Sequence, residues 1–355
     1  MKLYIFNPEH DIALASGLRA FTAPHAGRQL RADLAFLPSI WAEDGDIVLV
    51  DDVDNALEQA RHLKSGTACV TYISREDLEA VLCGSNGDVE VFPWGWDASI
   101  KHQLLKDCNK SICNCLVPSD NQIERIREIS NRRWAANNLC NTGVYCTSLF
   151  EVKNAAESFG RFVMKAPWSS SGRGIRYRAD WRWAESVIRR QGGVMVEPYY
   201  NKVKDFGMEF YVAADGTVIY QGLSLFETVN GAYTGNLLAG EDEKVRILSS
   251  FIQESKLDEA RRHIIDVMGE SLRGIYNGPF GVDMMVYVDD GEFHLLPCVE
   301  LNLRMTMGHV ALALTRRVNP TGVAPHQLMR IEYDGHHYHF RVLNTQSNAL
   351  NTSLI

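Results

Sequence analysis

Residues 283–304, DMMVYVDDGEFHLLPCVELNLR, read as two apolar strands joined at Asp290-Gly291. Asp-Gly between apolar runs is a strong hairpin signal, because a type I′ turn needs positive φ at both central residues. If those two residues are the whole loop, Asp289 pairs with Glu292 and Asp283 falls opposite Cys298. Side chains alternate between faces, so Asp283, Glu300 and Asn302 share one face. Glu300 is then the diagonal neighbour of Asp283, with Cβ atoms roughly 7–8 Å apart. Val282, Met284, Val286 and Val288 make the other face apolar and buried. Two carboxylates and an amide oxygen across that span suit Mg²⁺ (or Mn²⁺), which keeps positions for water and phosphate oxygens. The same residues also fit a plain surface hairpin, and a one-residue slip would turn Asp283 to the opposite face.

A second motif lies upstream. In RFVMKAPWSSSGRGIRYR, residues 161–178, a strand ending at Lys165 runs into Ser169, Ser170, Ser171, Gly172, Arg173 and Gly174, and a second strand starts at Ile175. Small residues in series let backbone N–H groups approach phosphate oxygens, and glycine permits the dihedrals this needs. The hydroxyls add donors, Lys165 a point charge and Arg173 a forked one. No Walker A pattern occurs, and a strand rather than a helix follows the loop. A surface hairpin is the competing reading.

Next comes VMVEPYY, residues 194–200, an apolar strand ending in Glu197, Tyr199 and Tyr200, then DFGMEFYV with Asp205 and Glu209. Carboxylates in these places suit a nucleoside amino group or hydroxyls, and equally suit ordinary strand-end polarity.

The series of lysine strand, small-residue loop, Val-Glu hinge, acid-bearing strand, Asp strand and Glu-x-Asn-x-Arg strand resembles the ATP-grasp superfamily over roughly residues 119–315. The resemblance implies an α/β (α+β) chain in which two sheets clasp ATP behind an N-terminal parallel-sheet domain. It divides the chain into an N-terminal α/β domain (1–118), a small lid domain (119–193), a large metal-binding domain (194–330) and a C-terminal hairpin and tail (331–355). Lys165 and the loop Ser169, Ser170, Ser171, Gly172 and Gly174 would then hold phosphates. Glu197, Tyr199 and Tyr200 would hold adenine, and Glu209 or Asp205 the ribose. Asp283, Glu300 and Asn302 would hold Mg²⁺ (or Mn²⁺), and Arg304, Lys165 and Arg173 would offset charge on the transferring phosphoryl group. The family's Asp-Lys pair at the start of the small domain is replaced here by Arg132 and Arg133 in SNRRWAANNL. Arginine keeps the charge and can grip phosphate bidentately. The implied activity is an ATP-dependent ligase joining a carboxylate to an amine through an acyl phosphate, with a small-molecule kinase or a non-catalytic scaffold as alternatives.

Composition is that of an ordinary soluble globular protein. The chain has 355 residues, 46% hydrophobic and 23% charged, with a net charge of −8. That acidity argues against a nucleic-acid partner. No apolar run approaches the ~20 residues of a membrane helix. The start MKLYIFNPEHD lacks a signal peptide's long apolar core. Cytoplasmic localisation and eight reduced cysteines are therefore expected; Cys108, Cys113 and Cys115 lack zinc-site spacing. Small-molecule carboxylate and amine partners are what the resemblance implies.

Residues 1–118 alternate strand signals (3–6, 46–50, 69–73, 89–92) with helical ones (55–63, 75–82), the pattern of a parallel sheet. Ligands in such sheets gather beyond the strands' carboxyl ends, which singles out Asn7-Pro8-Glu9-His10-Asp11. Asn121 to Leu139 reads as an amphipathic helix with Ile123, Ile126 and Ile129 on one face. Residues 226–238, FETVNGAYTGNLL, read as a Gly- and Asn-rich loop. His336, His337 and His339 follow Asp334-Gly335 and read as a terminal hairpin rather than a metal cluster.

Overall fold

The computed structural model describes residues 1–63, 66–84, 89–108, 116–169, 172, 174–229, 232–318 and 327–344. Ser170, Ser171, Arg173, Cys113 and Cys115 lie outside the described residues.

Strands β1 (Lys2–Ile5), β2 (Ile47–Leu49), β3 (Thr71–Ile73) and β4 (Glu90–Pro93) form a parallel sheet in the order β3-β2-β1-β4. Alternation along β1 sends Leu3 and Ile5 into one apolar cluster and Tyr4 and Phe6 into another. Both faces are thus covered, as parallel sheets require. From β1 the chain builds outward to β2 and β3, then returns to lay β4 on the other side of β1.

The second sheet is antiparallel, β5 (Val144–Cys146), β8 (Val194–Pro198), β6 (Phe162–Lys165) and β7 (Ile175–Arg176) in that spatial order. Met164, Val194 and Val196 pack against helices Leu149–Phe159 and Trp181–Gln191 through Val152, Ala156, Ala184 and Val187. Lys165 alternates to the opposite face. A strand follows the small-residue loop, as expected.

The third sheet has seven strands: β9 (Asn201–Val212), β10 (Val218–Val229), β11 (Ala232–Leu238), β12 (Gly278–Asp289), β13 (Glu292–Asn302), β14 (Gln327–Tyr333) and β15 (Tyr338–Asn344). Their order is β13-β12-β9-β10-β11-β14-β15. Phe206, Met208 and Phe210 on β9 and Phe280, Val282 and Met284 on β12 share a core with the helix Glu254–Leu272. That helix buries Leu257, Ala260, Ile264, Met268 and Leu272, the i, i+3, i+4 stripe that makes it helical and amphipathic. Each large side chain buried there stabilises the layer by roughly 1.5–3 kcal/mol. The terminal hairpin begins at Gln327 and extends this same sheet through β11.

Three local expectations are corrected. The helix expected over 121–139 is three pieces, Asp120–Ile129, Arg132–Ala135 and a wider turn at Ala136–Cys140. The break falls where the Asn131 side chain accepts the Arg133 N–H and starts a new helix. Residues 226–238 are not a loop but mostly paired strand, β10 against β11, with a bulge between Glu227 and Thr228. At the decisive hairpin, Asp290 and Gly291 have φ 47° and 82°, and Asp289 pairs with Glu292 as expected. The register then shifts between Asp283 and Met285, so Asp283 faces Glu300 and not Cys298. The extra residues of β13 include Pro297, which has no N–H to give the ladder, so a bulge there loses little.

Candidate active site

The strand registers put the polar residues of the large sheet on the face opposite its helix-packed core. Gly207 pairs with both Asp283 and Ser224, Asp283 with Glu300, and Gly281 with both Glu209 and Asn302. Asp205, Glu209, Ser224, Asp283, Glu300 and Asn302 therefore share one face. The glycines are steric necessities. A Cβ on Gly281 would lie 2.5 Å from Glu209 Oε2, and one on Gly308 1.9 Å from Glu209 Oε1.

Asp283 accepts one hydrogen bond, from Asn302 Nδ2 at 3.1 Å. Burial, then the neighbouring Glu300 and Glu209 carboxylates, hold its carboxyl well above the usual range. Two carboxylates and an amide facing one another without a neutralising cation at Asp283 fit a hard divalent ion. The fit rests on Asp283 and Glu300. Asn302 Oδ1 accepts from Arg304 Nη2 at 2.8 Å, and Glu300 Oε1 accepts from Arg132 Nη2 at 2.6 Å. Among the described residues no three His, Cys, Asp or Glu side chains form a ready-made metal cluster.

Arg132, not Arg133, reaches this face. Buried at 7% exposure, it gives Nη1 to Ala166 O at 2.6 Å and to Ser169 Oγ at 2.8 Å, besides Nη2 to Glu300. Its Nε is buried without a partner among the described residues. Arg133 instead lies over the Tyr145 ring, 5.0 Å from its centroid. One guanidinium thus ties Ser169, beyond β6, to Glu300 on β13. Gly174 is needed beside it, because a Cβ there would sit 2.2 Å from Ser169 Cβ. Gly172 adopts φ 69°, a conformation that favours glycine.

Lys165 and Glu197 form a buried pair at 2.6 Å, with side chains 7% and 8% exposed. Only one of the three ammonium hydrogens is used by Glu197. Beside them Tyr200 packs on Tyr287 with ring centroids 4.6 Å apart, and Arg161 covers Tyr199 at 4.2 Å. The Tyr199 N–H is engaged by Arg161 O at 3.0 Å.

The two ribose candidates differ. Glu209 is 2% exposed and saturated: Ser224 Oγ gives to Oε1 at 2.8 Å, Thr306 Oγ1 to Oε2 at 2.8 Å, and His309 Nδ1 lies 3.0 Å from Oε2. Asp205 stands nearer the rim, bonded to Thr228 Oγ1 at 2.7 Å and paired with Lys202. Glu209 is thus fully engaged within the protein, and Asp205, its side chain 15% exposed, is the more accessible of the two.

Arg304 grips Asp11 bidentately, Nε to Oδ1 at 3.0 Å and Nη2 to Oδ2 at 2.8 Å. Burial alone would raise the Asp11 carboxyl, but Arg304 outweighs it and holds the group below its usual range. The segment after β1 is thereby fixed against the end of β13. Three neighbours were not singled out in the sequence. Asp97 caps the helix Ala98–Asp107 and lies 3.2 Å from His10 Nδ1. Cys140 and Cys298 are hydrogen-bond partners; contact with Cys298 lowers the Cys140 thiol to about 7, and contact with Cys140 raises Cys298. The six cysteines among the described residues are free thiols. His337 and His339 bond to Asp33 and Asp334 at 2.9 and 2.8 Å, a polar hairpin with no metal geometry.

No protein-family model matches the chain, and no curated protein does. Solved structures do match. N5-carboxyaminoimidazole synthetase from Staphylococcus aureus, complexed with ADP, is similar over 94% of this chain and 83% of its own, at 14% identity and a TM-score of 0.51. An N5-carboxyaminoimidazole ribonucleotide synthetase in its ADP complex is similar over 99% and 94%, at 13% identity and 0.53. Biotin carboxylase from Campylobacter jejuni is similar over 93% and 75%, at 14% identity and 0.50. Three sheets in this order, with the acid-bearing hairpin under the small domain's loop, give the chain the ATP-grasp fold.

Proposed function

We propose that the protein is an ATP- and Mg²⁺-dependent ligase that joins a carboxylate to an amine through an acyl phosphate. The observation that carries this reading is the single sheet face on which Asp283, Glu300 and Asn302 meet Arg132 and Arg304 beneath the loop that starts at Ser169. Two of the similar structures, both N5-carboxyaminoimidazole synthetases, are ADP complexes, which supports a nucleotide in the same fold.

A carboxylate is a poor electrophile at neutral pH. Its oxygen attacks the γ-phosphorus, ADP leaves, and the mixed anhydride offers phosphate as a leaving group to the amine nitrogen. Phosphoryl transfer asks the protein mainly for positioning and charge stabilisation. Lys165 retains two ammonium hydrogens for phosphate oxygens. Arg132 retains its Nε–H and one Nη2–H, and Arg304 retains one of its five N–H groups after Asp11, Asn302 and Met305 O are served. Glu197, Tyr199 and Tyr200 border the adenine position, and Asp205 is our choice for the ribose. Asp283 and Glu300 would hold Mg²⁺ (or Mn²⁺), which when bound offsets phosphate charge. Ser170, Ser171 and Arg173 stay in the proposal as the rest of the phosphate loop.

The test is ATP consumption across paired carboxylates and amines, with products identified. Free phosphate with a new amide supports the ligase, whereas a stable phosphoester makes the protein a kinase. The engagement of Glu300 by Arg132 and of Asn302 by Arg304 favours one competitor, a scaffold that binds nucleotide without turnover. Metal-independent ATP binding with no consumption under any pair would select it.

A further inference from the structure

A cavity of about 330 Å³ opens in the N-terminal domain, lined by Asn7 and Glu9 after β1, Asp97 and Ser99 after β4, and Arg28 and Lys106 from flanking helices. That volume is at the lower end for small-molecule sites. Its place is significant. β2 and β3 lie on one side of β1 and β4 on the other, so the β1/β4 crevice is the point where strand order reverses. Open parallel sheets bind ligands at that point, beyond the strands' carboxyl ends.

The polar groups are unevenly satisfied. Asp97 is spent: Oδ1 accepts from Ser99 N at 2.8 Å and Ile100 N at 2.9 Å, and Oδ2 faces Asn7 Nδ2 at 3.3 Å and His10 Nδ1 at 3.2 Å. Arg75 bridges Asp51 and Asp107. Glu9 is different. Its side chain is 9% exposed, Oε1 accepts from Arg31 Nη1 at 2.6 Å, and Oε2 is buried with no partner among the described residues. A buried acceptor left unpaired costs roughly 1–3 kcal/mol, and native proteins rarely carry one without a reason. Burial pushes the Glu9 carboxyl above its usual range even with Arg31 beside it. Arg28, an exposed residue that also lines the cavity, donates from Nη1 to a neutral carbonyl, Ala23 O at 3.2 Å. Among the described residues neither Arg28 nor Lys106 has a carboxylate partner within ion-pair distance.

We infer that this cavity binds a small zwitterion, its ammonium donating to Glu9 Oε2 and its carboxylate accepting from Arg28 and Lys106. An anion alone would leave Glu9 Oε2 unpaired, whereas Arg28 and Lys106, both solvent-exposed, need no ligand but offer a carboxylate two cations among the lining residues. The inference does not depend on the ligase reading, since it concerns binding without nucleotide.

The experiment is calorimetric titration of the full chain, without ATP or metal, using the twenty proteinogenic amino acids, acetate and methylamine as separate probes. At least one amino acid should bind, with acetate and methylamine each at least tenfold weaker. Glu9→Gln should weaken that amino acid at least tenfold, and Arg28→Met, at a residue with no ion pair among the described residues, should do the same if Glu9→Gln does not fold. Binding of no amino acid, acetate binding equal to the best amino acid, or full affinity in a folded Arg28→Met variant would each overturn the assignment. Loss of ATP turnover would leave it standing.

Discussion

Replacing Asp283 by Asn should stabilise the protein while abolishing its activity. The Asp283 carboxyl is buried against Glu300 and Glu209, with Arg304 and Asn302 only partly opposing them, and is held well above the ordinary range. A carboxyl raised in the folded state binds its proton more tightly there than when unfolded. Stability is therefore lost as pH rises from the unfolded value, about 3.9, through the folded one. Each unit of upward displacement corresponds to about 1.4 kcal/mol at a pH above both values. Asparagine keeps the shape and can still bond to Asn302, so Asp283→Asn should raise stability at pH 7 without metal. Each kcal/mol gained is roughly 2–4 °C in melting temperature. The gain should shrink towards pH 4, where the parent carboxyl is itself protonated. Mg²⁺ should raise the parent's midpoint at pH 7 and leave the variant's unmoved. ATP turnover should fall at least ~100-fold, since a metal's contribution of several kcal/mol converts to that factor. Scanning calorimetry with EDTA or Mg²⁺ at both pH values reads all of this. A variant less stable than the parent at pH 7, with the same Mg²⁺ response, would refute the reasoning.

Three further outcomes follow from packing and pairing. Arg132→Met removes the ties to Ala166 O, Ser169 Oγ and Glu300 and should cost about 2–4 kcal/mol, less than a fully buried pair because Glu300 is 27% exposed. A double-mutant cycle with Glu300→Gln should show at least ~1 kcal/mol of coupling, and additivity would mean the pair is not formed. Lys165→Met strands the buried Glu197 and should cost about 3–5 kcal/mol, whereas Lys165→Met with Glu197→Leu should recover most of it in urea denaturation and still fail to bind ATP. Gly308→Ala forces a methyl to 1.9 Å from Glu209 Oε1 and should lose about 3 kcal/mol or more, with a melting temperature equal to the parent's as the contrary result.

What the sequence disclosed was whatever a few adjacent residues decide. Asp290-Gly291 supplied the two positive φ angles of its turn, and alternation along β12 and β13 assigned Asp283, Glu300 and Asn302 to one face. Isoleucines 123, 126 and 129 made their helix amphipathic, and all three are buried. Some local signals were present but misread. Asn131 is a good N-cap in the middle of a helical pattern, and it marks the break that turns Arg132 inward. Asn230-Gly231 between apolar runs is as strong a hairpin signal as Asp290-Gly291, and the strands flanking it pair.

The remainder depends on residues far apart in the chain. Asp283 meets Glu300 directly only because β13 bulges around Pro297, a shift that no count from the turn reveals. Glu209 has a strand-appropriate neighbourhood in the sequence, yet Gly281, Ser224, Thr306, Gly308 and His309 close around it from three other elements. The cationic groups follow the same rule. Arg132, Lys165 and Arg304 are each fixed by a carboxylate, Glu300, Glu197 and Asp11, that lies 168, 32 and 293 residues away. A flexible cation would have to reorganise before it could stabilise developing charge, whereas one already held in place need not. Residue types and order were thus enough to point to phosphate chemistry. The pairing that makes these charges rigid, and so suited to a transition state, comes only from the folded chain.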